Sequence, residues 1–505
     1  MQYNLRMKYT LRLLIVFIFA ACYPGWARKV PAHPALLSAA DPVKQLRANL
    51  DRVFGDPKIS PAQLGVEVFS LDRSETLYAM NPQRLFIPAS CNKLISAAVA
   101  LMRLGPGYRF ETRLLADGRI EDGTLNGNLL VVGYGDPSNS GRFHEGDPFA
   151  AFKIWAAELK RKDIRKISGD IIGDDAAFAE PRFGFGWEWN DLTEGYAAPI
   201  SSLQFNDNAV SVEIVPGPEK GNPALVRTLP LDNYFTINNQ IVTGPEKSPV
   251  DIRIERGDSN EAIAIYGSVP AAGATLSRTV AVRNPAIYFL SAFKRTLSEE
   301  GIDSGACSIR IRKAYDSPSL SLLWTNFSPD LSEILKPLLK ESLNLQAETL
   351  VRTLGMKLRG DGSFDKGKEV VEETLSQMGI APGSYAFADG SGLSRRNLES
   401  ADNLVRVLRF MYRGKNFQQF LDALPIAGID GTLSARLKGT KAENNIRAKT
   451  GSMTGVSSIS GYLKTADAEM LAFSVGANNF PGSRELVESA QDRALVILAG
   501  FSRNH

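Results

Sequence analysis

Ser90 and Lys93 stand three residues apart at the head of the apolar run Ser90-Cys-Asn-Lys-Leu-Ile-Ser-Ala-Ala-Val-Ala-Leu-Met-Arg-Leu104. On a helix that spacing puts both side chains on one face of the first turn. A lysine there takes the serine proton if its surroundings hold it neutral, and the serine becomes a nucleophile. Backbone N–H groups at the helix start favour the negative charge that develops in acyl transfer. Alone the pair is a weak signal, since an N-cap serine with a solvated lysine is common. The rest of the composition sharpens it. The only histidines are His33 in a Pro-rich start, His144 in a Gly-rich loop and the terminal His505, which disfavours a Ser-His-Asp triad or a Cys/His zinc site. No cofactor or metal motif is visible. Acyl-transfer chemistry here needs a base other than histidine.

Two later segments supply the company that Ser90 and Lys93 need. Ser342-Leu-Asn344 opens the helical pattern that runs from Leu345 to Leu358. Lys449-Thr450-Gly451-Ser452 ends the strand-like run Asn445-Ile-Arg-Ala448. Glycine at 451 lets backbone approach a substrate closely, and a strand edge there pairs with an extended peptide. The elements around these motifs read as follows. Leu64 to Leu71 alternates like a half-buried strand, and a second short strand near Leu77-Tyr78 completes a hairpin. The run from Ser90 to Leu104 is bracketed by Pro88 and Gly105-Pro106 as a buried helix. Further helices are expected at Pro329 to Lys340, Leu345 to Leu358, Lys366 to Met378, Ala401 to Arg413 and Arg484 to Leu498. Strands are expected at Val456 to Leu463 and Met470 to Gly476. Between about Tyr108 and Leu320 the texture is short β-like runs separated by Gly, Pro, Asn and Asp. The fold class is therefore mixed α/β: a domain split in sequence over 28–107 and 321–505, carrying a β-rich insertion over 108–320 of one or two nested modules.

Ser-x-x-Lys, Ser-x-Asn and Lys-Thr-Gly in this order resemble the set shared by penicillin-binding proteins and serine β-lactamases. The chain is similar to the low-molecular-mass class C penicillin-binding proteins, the D-alanyl-D-alanine carboxypeptidase/endopeptidase branch with a large insertion. Gly133-Tyr-Gly-Asp-Pro137, Ser168-Gly-Asp-Ile-Ile-Gly-Asp-Asp175, Gly186-Trp-Glu-Trp189, Tyr196-Ala-Ala-Pro-Ile-Ser201, Asp389-Gly-Ser-Gly-Leu-Ser-Arg395 and Gly428-Ile-Asp-Gly-Thr-Leu433 extend the resemblance over nearly the whole mature chain. It implies a transpeptidase/β-lactamase-like domain, an antiparallel sheet with a helical lobe. One departure is Leu343, where Asp or Asn is more usual; it bears on local packing or substrate preference.

The resemblance also implies roles. Ser90 attacks the carbonyl of the penultimate D-alanine, Lys93 is the base, and Ser342 relays a proton to the leaving amine. Asn344 holds the substrate amide, Lys449 supplies positive potential, Thr450 binds the terminal carboxylate, and the N–H groups of Ser90 and Ser452 form the oxyanion hole around Gly451. Arg395 is either a cleft residue or a structural loop arginine. Asp174 either meets the ammonium of a diamino-acid stem residue or is a solvated turn aspartate. The partners implied are peptidoglycan stem peptides, their cross-links and β-lactam antibiotics. Two rivals are a serine β-lactamase, for which no dedicated water-activating group is visible, and an inactive wall-binding protein.

The chain has 505 residues, 44% hydrophobic and 22% charged, enough for about three domains. Its net charge of +3 is matched by Arg6, Lys8 and Arg12 alone. These precede the apolar run Leu13 to Cys22 and the small residues at Gly25-Trp-Ala27, a secretory signal over 1–27. An uncleaved anchor and lipidation at Cys22 are the alternatives. The expected location is the periplasm, with membrane association at most peripheral. A near-neutral mature chain gives no support for nucleic-acid binding. Once Cys22 departs, only Cys91 and Cys307 remain, too few for a disulfide framework, although one bridge between them is formally possible. Cys91 is expected in the core, facing away from Lys93. The Pro/Ala stretch from Pro31 to Pro42 reads as a flexible leader.

Overall fold

The computed structural model describes residues 41–232, 234–257 and 261–504. The secretory signal, the processing site at Ala27 or Cys22, His33 and His505 lie outside the described residues.

Two distant parts of the chain build one antiparallel sheet. Its order is Arg447–Met453, Val456–Lys464, Met470–Asn478, Gln63–Ser70 and Glu75–Met80. The N-terminal hairpin joins the C-terminal strands through eight successive pairs, from Gln63 opposite Asn478 to Ser70 opposite Leu471. Strand alternation divides the side chains between two cores. Val66, Val68, Ile459 and Phe473 face a layer made by helices Pro42–Phe54 and Arg484–Ala499. Phe69, Tyr462 and Ala472 face the helical lobe. Arg447–Met453 is left as an edge strand on the side of the nucleophile turn.

At the centre of the helical lobe is helix Lys93–Arg103, whose residues from Lys93 to Leu101 are all buried. Leu94, Ile95, Ala97, Ala98 and Leu101 pack among Leu350, Leu354, Val371, Leu404 and Leu408 from the surrounding helices. A helix apolar on every face belongs in the middle of a lobe, and this one has no solvent face to give up. Helices Leu331–Lys340, Asn344–Arg359, Phe364–Gln377 and Ala401–Arg413 match their expected positions closely.

The insertion leaves at Phe110 and returns at Ser328, where the two residues exchange hydrogen bonds at 2.9 Å. Strand Leu320–Phe327 pairs with Glu111–Glu121. It holds a six-stranded sheet and two three-stranded sheets. The expectation of strands and turns is only partly met, because helices Ala150–Arg161 and Pro285–Glu299 lie inside it. Their rings interlock: Phe152 and Trp155 meet Phe289 and Phe293 with centroids 4.9 to 5.8 Å apart. One buried cluster runs from these helices through all three sheets, including Val212, Ile241 and Ile265. Pro42–Phe54 is also helical, so the leader ends where Pro42 begins that helix.

Candidate active site

The chain enters the site through Ala89, a buried residue with φ +45°, in the left-handed region that L side chains rarely occupy. It starts a short 3-10 turn, Ala89–Asn92, which runs directly into the helix at Lys93. Ser90 sits on that turn and lines an open cleft of about 440 Å³.

Lys93 is wholly buried. Its Nζ lies 2.9 Å from Ser90 Oγ, 2.6 Å from Asn344 Oδ1 and 2.7 Å from the Ser391 carbonyl oxygen. Burial, followed by the charge of Lys449, holds the Lys93 ammonium well below its ordinary pKa, while Asp389 and Glu348 oppose the shift. A neutral amine has two hydrogens and one lone pair. Asn344 Oδ1 and the Ser391 carbonyl are acceptors only and take the hydrogens, so the lone pair is left for the Ser90 hydroxyl. That is the geometry of a general base.

Lys449 is equally buried but differently used. Its Nζ donates to the Thr450 carbonyl at 2.7 Å, and it forms no ion pair among the described residues. Burial pushes it down to about 8, so it remains largely charged at neutral pH. Thr450 Oγ1 donates to Thr432 Oγ1 at 2.7 Å, and both line the cleft. Gly451 is required by the protein itself: a Cβ there would stand 2.6 Å from the Pro88 carbonyl and 2.8 Å from Ser90 N. The edge strand thus runs hard against the nucleophile turn, and the next residue, Ser452, is exposed on the cleft wall. Gly392, with φ +82°, makes a second close approach, because a Cβ there would meet the Ala89 carbonyl at 1.9 Å.

Ser342 has φ +64° and is half-buried on the cleft wall, and its hydroxyl has no hydrogen-bond partner among the described residues. Leu343 caps helix Asn344–Arg359, placing the Asn344 side chain at its start. Asn344 Nδ2 donates to the Tyr196 carbonyl at 2.8 Å while Oδ1 holds Lys93. Arg395 lines the cleft and donates from both terminal nitrogens to the Thr454 carbonyl at 3.1 Å.

Asp174 lies elsewhere. Its carboxylate is buried in the insertion and accepts from the backbone N–H groups of Ala176, Ala314 and Tyr315 at 2.9 to 3.1 Å. It is absent from the cleft wall, so neither a substrate contact nor a solvated turn describes it; it ties strand Ile171–Asp174 to the following loops. The acidic groups that do line the cleft are Glu188 and Asp191, next to Tyr196. Glu188 lies within Gly186-Trp-Glu-Trp189, a segment legible in the sequence without a role for any one residue, and Asp191 stands two residues after it. Trp187 anchors it through a 2.9 Å bond from its indole N–H to Asp389 Oδ2.

A second buried carboxylate was not legible. Glu348 accepts from the N–H groups of Gly390 and Ser391 at 3.1 and 2.8 Å, fixing the loop whose carbonyl holds Lys93. Burial and the neighbouring Asp389 push it up to about 7. Cys91 lies in the core, where its thiol donates to the Lys449 carbonyl at 3.2 Å and burial raises its pKa. Cys91 and Cys307 are both free thiols.

The chain is 34% identical to a D-alanyl-D-alanine carboxypeptidase of an Actinomadura species over 93% of its own length and 88% of that protein's. It is 28% identical to the D-alanyl-D-alanine carboxypeptidase DacB of Haemophilus influenzae, over 88% of this chain and 90% of that one. The crystal structure of penicillin binding protein 4 (dacB) from Haemophilus influenzae superposes with a TM-score of 0.77 at 26% identity, covering 91% of this chain and 99% of that chain. The same protein complexed with a β-lactam superposes with a TM-score of 0.72 at 25% identity, covering 90% and 97%. The profile of the D-Ala-D-Ala carboxypeptidase 3 (S13) family matches residues 46–500, and by that span the chain belongs to this family.

Proposed function

We propose that this chain is a penicillin-sensitive serine hydrolase of D-alanyl-D-alanine peptide bonds in peptidoglycan, with Ser90 as nucleophile and Lys93 as base. The observation that carries this reading is the contact between a buried, neutral-leaning Lys93 and the Ser90 hydroxyl, in a cleft where no histidine is present. Lys93 takes the Ser90 proton as Oγ bonds to the carbonyl carbon. The oxyanion is met by the N–H groups of Ser90 and Ser452, preorganised by the close crossing at Gly451. The amide C–N bond then breaks, and the proton passes by way of Ser342 to the leaving nitrogen. Water attacks the ester carbon and gives a proton to Lys93, the bond from that carbon to Ser90 Oγ breaks, and Lys93 returns the proton to Oγ, so the enzyme is unchanged after one turnover. Thr450 meets the carboxylate that flanks the scissile bond, and the buried Lys449 charge behind it supplies positive potential. Glu188 and Asp191 suit a cationic stem side chain, such as that of a diamino acid, taking the part expected of Asp174.

Such a cleft accepts a terminal D-alanine or a cross-link as leaving group, and relatives are named as carboxypeptidases. The N-terminal sequence pattern supports export to the periplasm, and no helix among the described residues is long and apolar enough to cross a membrane. Release of D-alanine from a peptide ending in D-alanyl-D-alanine tests the reading. The purified protein should release it, prior benzylpenicillin should block the release, and Ser90→Ala should release none. A protein that leaves such peptides intact and ignores benzylpenicillin has another function.

A further inference from the structure

A second cavity of about 370 Å³ lies on the other side of the Ser342–Asn344 loop and shares Tyr196, Ser342 and Asn344 with the reaction cleft. Its remaining wall carries both signs of charge: Arg142 and Arg278 against Glu194, Asp207 and Glu341. A terminal D-alanine is too small to need such a space. The leaving side of a cross-link is a whole second stem peptide, with free carboxylates and an amine.

We propose that this cavity is the subsite for the strand that leaves when a cross-linked peptide is cleaved, and that Arg278 binds a carboxylate of that strand. The proposal rests on the reading of Ser90, Lys93 and Ser342 given above. Ser342 is the shared wall of the two cavities, so a nitrogen that takes its proton there departs along the face that opens on the second one. The chemistry is that of the same hydrolysis: Ser90 Oγ bonds to the D-alanyl carbonyl carbon, the cross-link C–N bond breaks, and its nitrogen gains the proton. Water then releases the remaining strand as an acid.

The charged wall selects which residue does the binding. The Arg142 guanidinium is already engaged by Asp207 at 2.9 Å and by Glu341. Arg278 is exposed, forms no ion pair among the described residues, and donates only to the adjacent Ser277 carbonyl at 3.0 Å. It stands on strand Leu276–Ala281, which pairs along its length with Ala209–Val215, so the backbone is held, while the side chain feels the Glu194 charge across the cavity without pairing with it and can meet a ligand. Exposed charged contacts are modest, and a loss of about five-fold follows from removing one.

The test compares three reactions of the full-length protein: acylation by a fluorescent penicillin, release of D-alanine from a monomeric pentapeptide muropeptide, and cleavage of a cross-linked muropeptide dimer. Arg278→Ala should lower kcat/KM for the dimer about five-fold, mainly through KM, and Arg278→Glu should lower it further. Arg278→Lys should recover most of the loss, and the other two reactions should not change. Equal loss on monomer and dimer, no loss on the dimer, or a wild-type protein that trims monomers but leaves dimers intact would each overturn the subsite. A wild-type protein that fails to react with penicillin would instead indict the catalytic reading.

Discussion

Lys93 and Lys449 are both wholly buried, yet their amines meet different partners: Lys93 touches the Ser90 hydroxyl, whereas Lys449, among the described residues, donates only to the Thr450 carbonyl. The first is placed to take a proton and the second to hold a charge. Lys93→Arg should therefore reduce acylation by benzylpenicillin about 1,000-fold or more, because a guanidinium stays protonated at neutral pH. Lys449→Arg keeps the charge and should lose about ten-fold, much of it through imperfect fit. Stopped-flow acylation rates decide the matter, and equal losses in the two variants contradict the division.

The same division sets the pH profile. Acylation should rise with pH as Lys93 loses its proton at a pKa held well below the ordinary lysine value. It should fall again as Lys449 loses its charge near about 8. In Lys449→Arg the alkaline fall should disappear while the acid limb stays. An unchanged alkaline limb in that variant would assign it to another group.

Gly451→Ala places a methyl group 2.8 Å from the Ser90 amide nitrogen and 2.6 Å from the Pro88 carbonyl. The edge strand must move back, and one oxyanion donor moves with it. Acylation should fall about 100- to 1,000-fold with the fold intact by circular dichroism. Near-normal acylation would mean that the strand position does not matter.

Stability should carry a signature of its own at Glu399. Its buried carboxyl is pushed up from 4.5 to about 8 by burial, and its Oε1 has no hydrogen-bond partner among the described residues. The folded protein holds that proton after the unfolded chain has released it. Stability is therefore lost as pH rises from about 4.5 towards about 8. Glu399→Gln removes that dependence and should raise Tm by a few degrees at pH 8.5, with little change at pH 5, read by differential scanning calorimetry. A variant no more stable at the higher pH contradicts the assignment.

The parts of this structure legible in the sequence are those with strong local period or punctuation. The hairpin at Gln63–Met80, the buried helix after Ser90 and helix Ala401–Arg413 all show an apolar period bounded by Pro, Gly or a serine cap. Helix Pro42–Phe54 was hidden behind the Pro/Ala stretch before it, although Leu46, Leu50 and Val53 have helical spacing. Helices Ala150–Arg161 and Pro285–Glu299 were masked by the β-like texture around them, despite the period of Phe152, Trp155, Ala156 and Leu159 and the Asn284-Pro285 start. The site divides the same way. Ser90, Lys93, Ser342, Asn344 and the Lys449 to Ser452 run lie in short motifs, whereas Asp191 and Glu348 reach the site only through tertiary folding, and Glu188 sits in a legible segment that gave no sign of its place in the cleft. Asp174 shows the converse, a carboxylate inside a legible segment that is spent on three backbone N–H groups.

The central claim is that Ser90 becomes the acylated atom through Lys93. Intact-protein mass spectrometry with peptide mapping after exposure to benzylpenicillin tests it most directly. The account predicts one covalent adduct on wild-type protein, mapped to the peptide containing Ser90, no adduct on Ser90→Ala, and only slow formation on Lys93→Arg. An adduct of unchanged yield on Ser90→Ala would contradict it.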